Sequence, residues 1–248
     1  MITPGKFLLS LLAAASVCVD VALAANLAGS EPSEGLFGCM LGLLLGQIGL
    51  IAAGWIRRPD AWPWWSLAML GSLGLGSVLL ATMDKIPLLH WTVVLGVFAV
   101  LSVALPMAYR ISRKEATSQF SLAAIFALTT AATLVCMLVL QSDFPWQELP
   151  VALPGLMVWA CPAMVVALTL SETKEDRQRQ LVIGLGAILA LSLTAAWMLP
   201  SLWNRLPLVI AWETFYLLIA GIVALQAIAN DEALTQEQDI KSPTISRL

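Results

Sequence analysis

Residues 35–56 read GLFGCMLGLLLGQIGLIAAGWI, and the chain then turns to Arg57-Arg58-Pro59-Asp60. The quoted stretch carries no charge, and its one strongly polar side chain is Gln47. About 20 mostly apolar residues in a helix cross about 30 Å of hydrocarbon, so this segment is long enough to span a bilayer. Two arginines and a proline end it, because charged side chains want water and proline removes a backbone donor.

Seven more stretches approach the same length. With the first they run over about 7–29, 35–56, 64–83, 88–109, 120–141, 151–170, 181–200 and 208–229. The breaks carry turn chemistry: Ser30-Glu31-Pro32-Ser33-Glu34, Asp84-Lys85-Ile86-Pro87 and Ser142-Asp143-Phe144-Pro145. Composition agrees, with 59% hydrophobic residues, 12% charged and a mean hydropathy of +0.86. Soluble domains have about a quarter of their residues charged. A chain so poor in charge cannot cover its apolar surface in water. The expected fold class is all-α, a polytopic transmembrane helical bundle of eight spans.

Charge placement fixes an expected orientation, because cytoplasmic loops collect lysine and arginine. With the N-terminus inside, the inner segments hold Lys6, Arg57, Arg58, Arg110, Arg113, Lys114, Lys174, Arg177, Arg179, Lys241 and Arg247. The outer loops hold Lys85 and Arg205, so the balance is eleven against two. Both termini are therefore expected in the cytoplasm, with the chain in the cytoplasmic (inner) membrane of a bacterium. Trp55, Trp62, Trp64, Trp91, Trp146 and Trp203 fall near span ends, where an amphipathic ring sits well. Residues 1–230 then form the membrane domain, and 231–248 a flexible acidic cytoplasmic tail.

The first span has a second reading. Lys6, an apolar run and Ala22-Leu23-Ala24 also resemble a secretory signal with a small-residue cleavage site. Cleavage there would leave seven spans in unchanged orientation.

Two halves, 1–115 and 116–230, show ordered matches at a spacing near 120. Val17-Cys18 with Val21 parallels Val135-Cys136 with Val139. Gly35-Leu36 and Cys39 parallel Gly155-Leu156 and Cys161, and Lys85-Ile86-Pro87-Leu88 parallels Arg205-Leu206-Pro207-Leu208. Four spans per half make the copies parallel, one of the plans on which transporters are built. Apolar helices also match one another by chance, so both readings stand at this level.

Few residues are candidates for chemistry. Asp20 lies about 13 Å below the outer end of its span at 1.5 Å per residue. A carboxylate at such a depth costs about 2.5–3.5 kcal/mol on insertion scales, so it must be protonated, paired, or turned toward water or another helix. Glu213 lies roughly 8 Å below the outer interface on the same rise, where snorkelling or entering water would serve it. His90, beside Trp91, reads as an interfacial histidine. All three lie in the expected outer half, and would line one cavity if the first, fourth and last spans met. Gln47 is expected to hydrogen-bond across a helix contact. Gly38, Gly42 and Gly46 stack on one helix face and suit close packing, within the chain between adjacent spans or against a second copy. Pro154 and Pro162 are expected to kink the sixth span, and 171–180 reads as a solvated connector.

Several classes are excluded or left without support. Cys18, Cys39, Cys136 and Cys161 never form CxxC, so spacing gives neither a zinc site nor a redox dithiol. One histidine excludes bis-histidine haem within the chain. No basic cluster suggests nucleic acid. Gly74-Leu75-Gly76-Ser77 lacks the surroundings of a nucleophile motif. No enzyme, cofactor or metal is expected. The remaining classes are a non-catalytic membrane subunit or scaffold, with other membrane proteins or a second copy as partners in the lipid bilayer, and a small secondary carrier with Asp20 binding a proton or ion. The scarcity of polar groups favours the subunit.

Overall fold

The computed structural model describes residues 4–27, 34–58, 61–84, 86–112, 149–171, 177–198 and 205–241, together with Thr129, Thr130, Thr133 and Met137. Seven helices run through them: α1 (Pro4–Leu27), α2 (Glu34–Arg57), α3 (Trp62–Asp84), α4 (Leu88–Ser112), α5 (Leu149–Ser171), α6 (Arg177–Met198) and α7 (Arg205–Lys241). The described residues contain no strand. Five helical stretches, Gly35–Arg57, Pro63–Met83, Leu88–Arg110, Arg177–Ala195 and Leu206–Asn230, are long and apolar enough to cross a membrane. The chain is a helical membrane protein. The expected fifth span, 120–141, lies outside the described residues except for helical Thr129, Thr130, Thr133 and Met137. Half of the connector 171–180, from 172 to 176, lies outside them too, while Ser171 ends α5 and 177–180 open α6.

Helix ends follow local chemistry. Pro63 falls at the start of α3, where a missing N–H costs nothing. At the start of α4, the His90 N–H donates to the Pro87 carbonyl at 2.9 Å. Interior prolines do not break the helices: α4 continues through Pro106, and α5 through Pro154 and Pro162. Most described hydroxyls donate to a carbonyl one turn back on their own helix, as Ser77 does to Leu73 at 2.7 Å and Thr169 to Val165 at 2.8 Å. Those hydroxyls thereby satisfy their donors within their own helix, while the Ser102 hydroxyl and the Trp65, Trp91 and Trp159 indole N–H groups are buried without a partner among the described residues.

The bundle is organised around α2. It packs against α1, α3, α4, α5 and α7, and these five close a ring as α1–α3–α4–α5–α7. The α1–α3 edge of this ring is its sparsest, and α6 sits outside against α5 and α7. Met40, Leu44, Leu45 and Ile48 of α2 are fully buried against Leu80, Leu95 and Phe98. The periphery is as apolar as the core. Leu67 and Leu70 on α3 are 62% and 63% exposed, and Leu191 on α6 is 71% exposed. Such faces are stable only with lipid as their solvent.

Three expectations change. The segment 231–241, expected as flexible tail, continues α7 as helix. Asp231-Glu232-Ala233-Leu234 and Gln236-Glu237-Gln238 hold mostly good helix formers, with no breaker before Pro243. Trp91, expected at the lipid interface, is buried, with its ring centroid 5.8 Å from that of Phe37. The α2–α4 contact covers it. The glycine face of α2 turns to α7, the most distant helix in sequence, and not to a sequence neighbour.

Candidate functional site

The glycine face explains how α7 comes so close to α2. A Cβ on Gly42 would lie 2.6 Å from the Val209 carbonyl oxygen and 2.9 Å from the Glu213 nitrogen. One turn on, a Cβ on Gly46 would lie 2.5 Å from the Tyr216 ring. No other residue type leaves room for this approach. It places Glu213 and Tyr216 of α7 beside the middle of α2, one residue before Gln47.

On α1, the residues turned inward recur every third or fourth position: Leu12, Ser16, Asp20 and Leu23. The neighbouring Val17, Cys18, Val19 and Val21 are exposed. This stripe turns Asp20, 0% exposed, to meet α2, where the Gln47 amide donates to its Oδ2. The other oxygen, Oδ1, has no hydrogen-bond partner among the described residues. One turn earlier, Ser16 Oγ donates to the Tyr216 hydroxyl at 3.2 Å, tying α1 to α7. Asp20 lies within electrostatic reach of Cys39 and Tyr216.

Glu213 is also 0% exposed, with both carboxyl oxygens lacking a partner among the described residues. Snorkelling does not occur. The α7 face that carries Glu213 is clamped on the glycines of α2, and its carboxyl lies within electrostatic reach of Cys161 on α5. An ionised, unpaired carboxylate in such a place is strongly disfavoured. His90 belongs elsewhere: α4 packs on α2, α3 and α5, and His90 is half-buried at its first turn. The condition for a shared cavity of Asp20, His90 and Glu213, a meeting of the first, fourth and last spans, is not what the packing gives; α1, α2 and α7 meet instead. That meeting brings together Asp20 and Gln47, with Ser16 and Tyr216 as additions.

A cavity of about 490 Å³ opens beside this cluster. Gln47, Ser16 and Tyr216 form its inner end, Arg57 and Arg58 lie at its other end, and α1, α2, α3 and α7 supply mostly apolar walls. Arg57 is anchored by a bond from Nη1 to the Leu170 carbonyl at 3.0 Å. A second, wholly apolar cleft of about 310 Å³ lies between α1, α2 and α7, reaching from Leu12 to Leu23. Among the described residues, no group of three or more His, Cys, Asp or Glu side chains is placed to hold a metal ion.

Sequence reasoning found Asp20 and Gln47 singly but missed their pairing, and missed Ser16, Tyr216 and the cavity role of Arg57 and Arg58. One signal was present: Ser16 precedes Asp20 by one helical turn and so shares its face. The partnership with Tyr216, 200 positions away, had none. Comparison with family models, curated proteins and solved structures gives no match for this chain.

Proposed function

We propose that the chain is a small secondary carrier of eight spans with both termini in the cytoplasm, in which the cavity is a substrate site and Asp20 binds the coupling proton or cation. The observation that carries this reading is the bond from Gln47, which lines the cavity, to Asp20 buried directly behind it. A scaffold has no need of a carboxyl group at such depth. The scarcity of polar groups favoured a subunit as long as Asp20 and Gln47 were separate residues; as a pair at the end of a cavity they favour transport.

The packing pattern adds support for two parallel four-span repeats. Exchanging α2 with α5, α3 with α6 and α4 with α7 maps α2–α3 contacts onto α5–α6, and α3–α4 onto α6–α7. It also maps α2–α4 onto α5–α7 and α2–α7 onto α5–α4, and leaves α2–α5 in place. A pseudo-twofold axis between α2 and α5 has this effect, and a site near a repeat interface is common in carriers. The repeat partner of α1, 120–141, lies outside the described residues. Among the described residues the polar cluster has no second copy: Ala167 stands 120 positions after Gln47.

Helix length supports counting α1 and α5 as spans, since 24 and 23 residues rise about 35 Å. Under the charge-based orientation, the cavity faces the cytoplasm, with Asp20 beyond its inner end on the outer side.

The test needs no substrate. In a variant lacking the four native cysteines, Ser72→Cys on the cavity wall is labelled with a membrane-impermeant maleimide in inside-out vesicles. Labelling there, absent from right-side-out vesicles and changed severalfold by Asp20→Asn, is the expected result. Labelling indifferent to Asp20 removes the carrier reading and returns the chain to the class of membrane subunits.

A further inference from the structure

We propose that the cavity takes an anionic phospholipid from the cytoplasmic leaflet, with its headgroup at Arg57 and Arg58 and an acyl chain directed toward Gln47. This rests on the cavity and orientation proposed above, and is independent of coupling at Asp20.

Four features specify the occupant. The walls are apolar, supplied by side chains such as Leu50, Ile51, Leu75 and Ile228, and suit a hydrocarbon chain better than a hydrated solute. Among the described residues, charge on the lining is confined to one end, where Arg57 and Arg58 stand, and no acidic side chain lines the cavity. Basic pockets between helices on the cytoplasmic side are where anionic headgroups bind. Trp65 lines the same end, its ring lying where a Cβ on Gly54 would meet it at 2.5 Å. Its indole N–H has no acceptor among the described residues, so a phosphate or ester oxygen would supply one.

The fourth feature is the way in. The α1–α3 edge is the sparsest of the ring, and Val17, Ala68 and Gly71 along it are exposed. A Cβ on Gly71 would meet nothing within 4 Å. An acyl chain can therefore slide in sideways without leaving hydrocarbon, a route that a water-soluble anion would not use.

The test uses the full chain in nanodiscs containing phosphatidylglycerol with a photoreactive diazirine in one acyl chain, against a matched phosphatidylcholine. Phosphatidylglycerol is expected to label α2 and α3 about fivefold more strongly, as suits a basic side chain near an anionic headgroup. Arg58→Gln, at an exposed position, should remove most of that preference; Ala68→Trp, filling the slot from its exposed edge, should reduce labelling by both lipids. Equal labelling by the two lipids, or labelling unchanged by Ala68→Trp, would overturn the proposal. So would displacement of the label by inorganic phosphate alone, which would identify a soluble anion as the occupant. Lipid labelling combined with Ser72→Cys accessibility that ignores Asp20 would keep this inference and remove the carrier reading.

Discussion

At the scale of single residues, the Asp20–Gln47 bond is the feature that most constrains chemistry. Asp20 is fully buried, and a buried acceptor left bare costs about 1–3 kcal/mol. Gln47→Leu is therefore expected to destabilise the protein by about that amount, while Asp20→Asn keeps an acceptor for the Gln47 amide and is tolerated. A double-mutant cycle with leucine at both positions should give a coupling of about 1 kcal/mol, within the range for polar pairs between membrane helices. Reversible unfolding in mixed micelles measures it, and a coupling near zero would mean that the two side chains do not meet. Asp20 was legible as a residue needing a partner, because insertion cost depends only on depth and charge. Which partner it finds depends on α1 and α2 facing each other, and no local pattern encodes that.

Helices and their contacts form the next scale. The face Gly38-Gly42-Gly46 was readable as a close-packing surface from four-residue spacing alone, but the helix it receives was not. Any helix with a suitable ridge would fit such a groove, and α7 is chosen by the arrangement of the whole ring. A graded test follows from the contacts. Gly42→Ala puts a methyl 2.6 Å from the Val209 carbonyl oxygen, and should cost about 1–3 kcal/mol as α7 is pushed away. Gly74→Ala, where a Cβ meets nothing within 4 Å, should leave thermal stability in detergent unchanged. Equal melting temperatures for the two variants would contradict the α2–α7 contact. The continuation of α7 to Lys241 was missed for a different reason. Polar, acidic composition signals water, and water surrounds both a flexible tail and a solvated helix; only the run of helix formers separates them.

For the molecule as a whole, topology is the claim most open to direct test. An alkaline phosphatase fused after Leu248 should be inactive and a fluorescent protein there bright, whereas a phosphatase fused after Ile86 should be active. The opposite pattern at Leu248 would require an odd number of spans between the termini if the N-terminus is inside. By itself, the sequence determined that lipid is the solvent, that helices are the elements, and roughly where five of the membrane-long stretches begin and end. Those properties are additive along the chain: hydrophobic length, proline and charge act on each segment without reference to any other. Only the tertiary structure decided that α2 is the hub, that Glu213 turns inward beside the glycines, that His90 stays on a helix packed elsewhere, and that Asp20, Gln47, Ser16 and Tyr216 gather at one end of a cavity. Those outcomes depend on which apolar faces meet. In a chain where almost every face is apolar, hydrophobic patterning does not distinguish one neighbour from another, and close steric fit makes the choice.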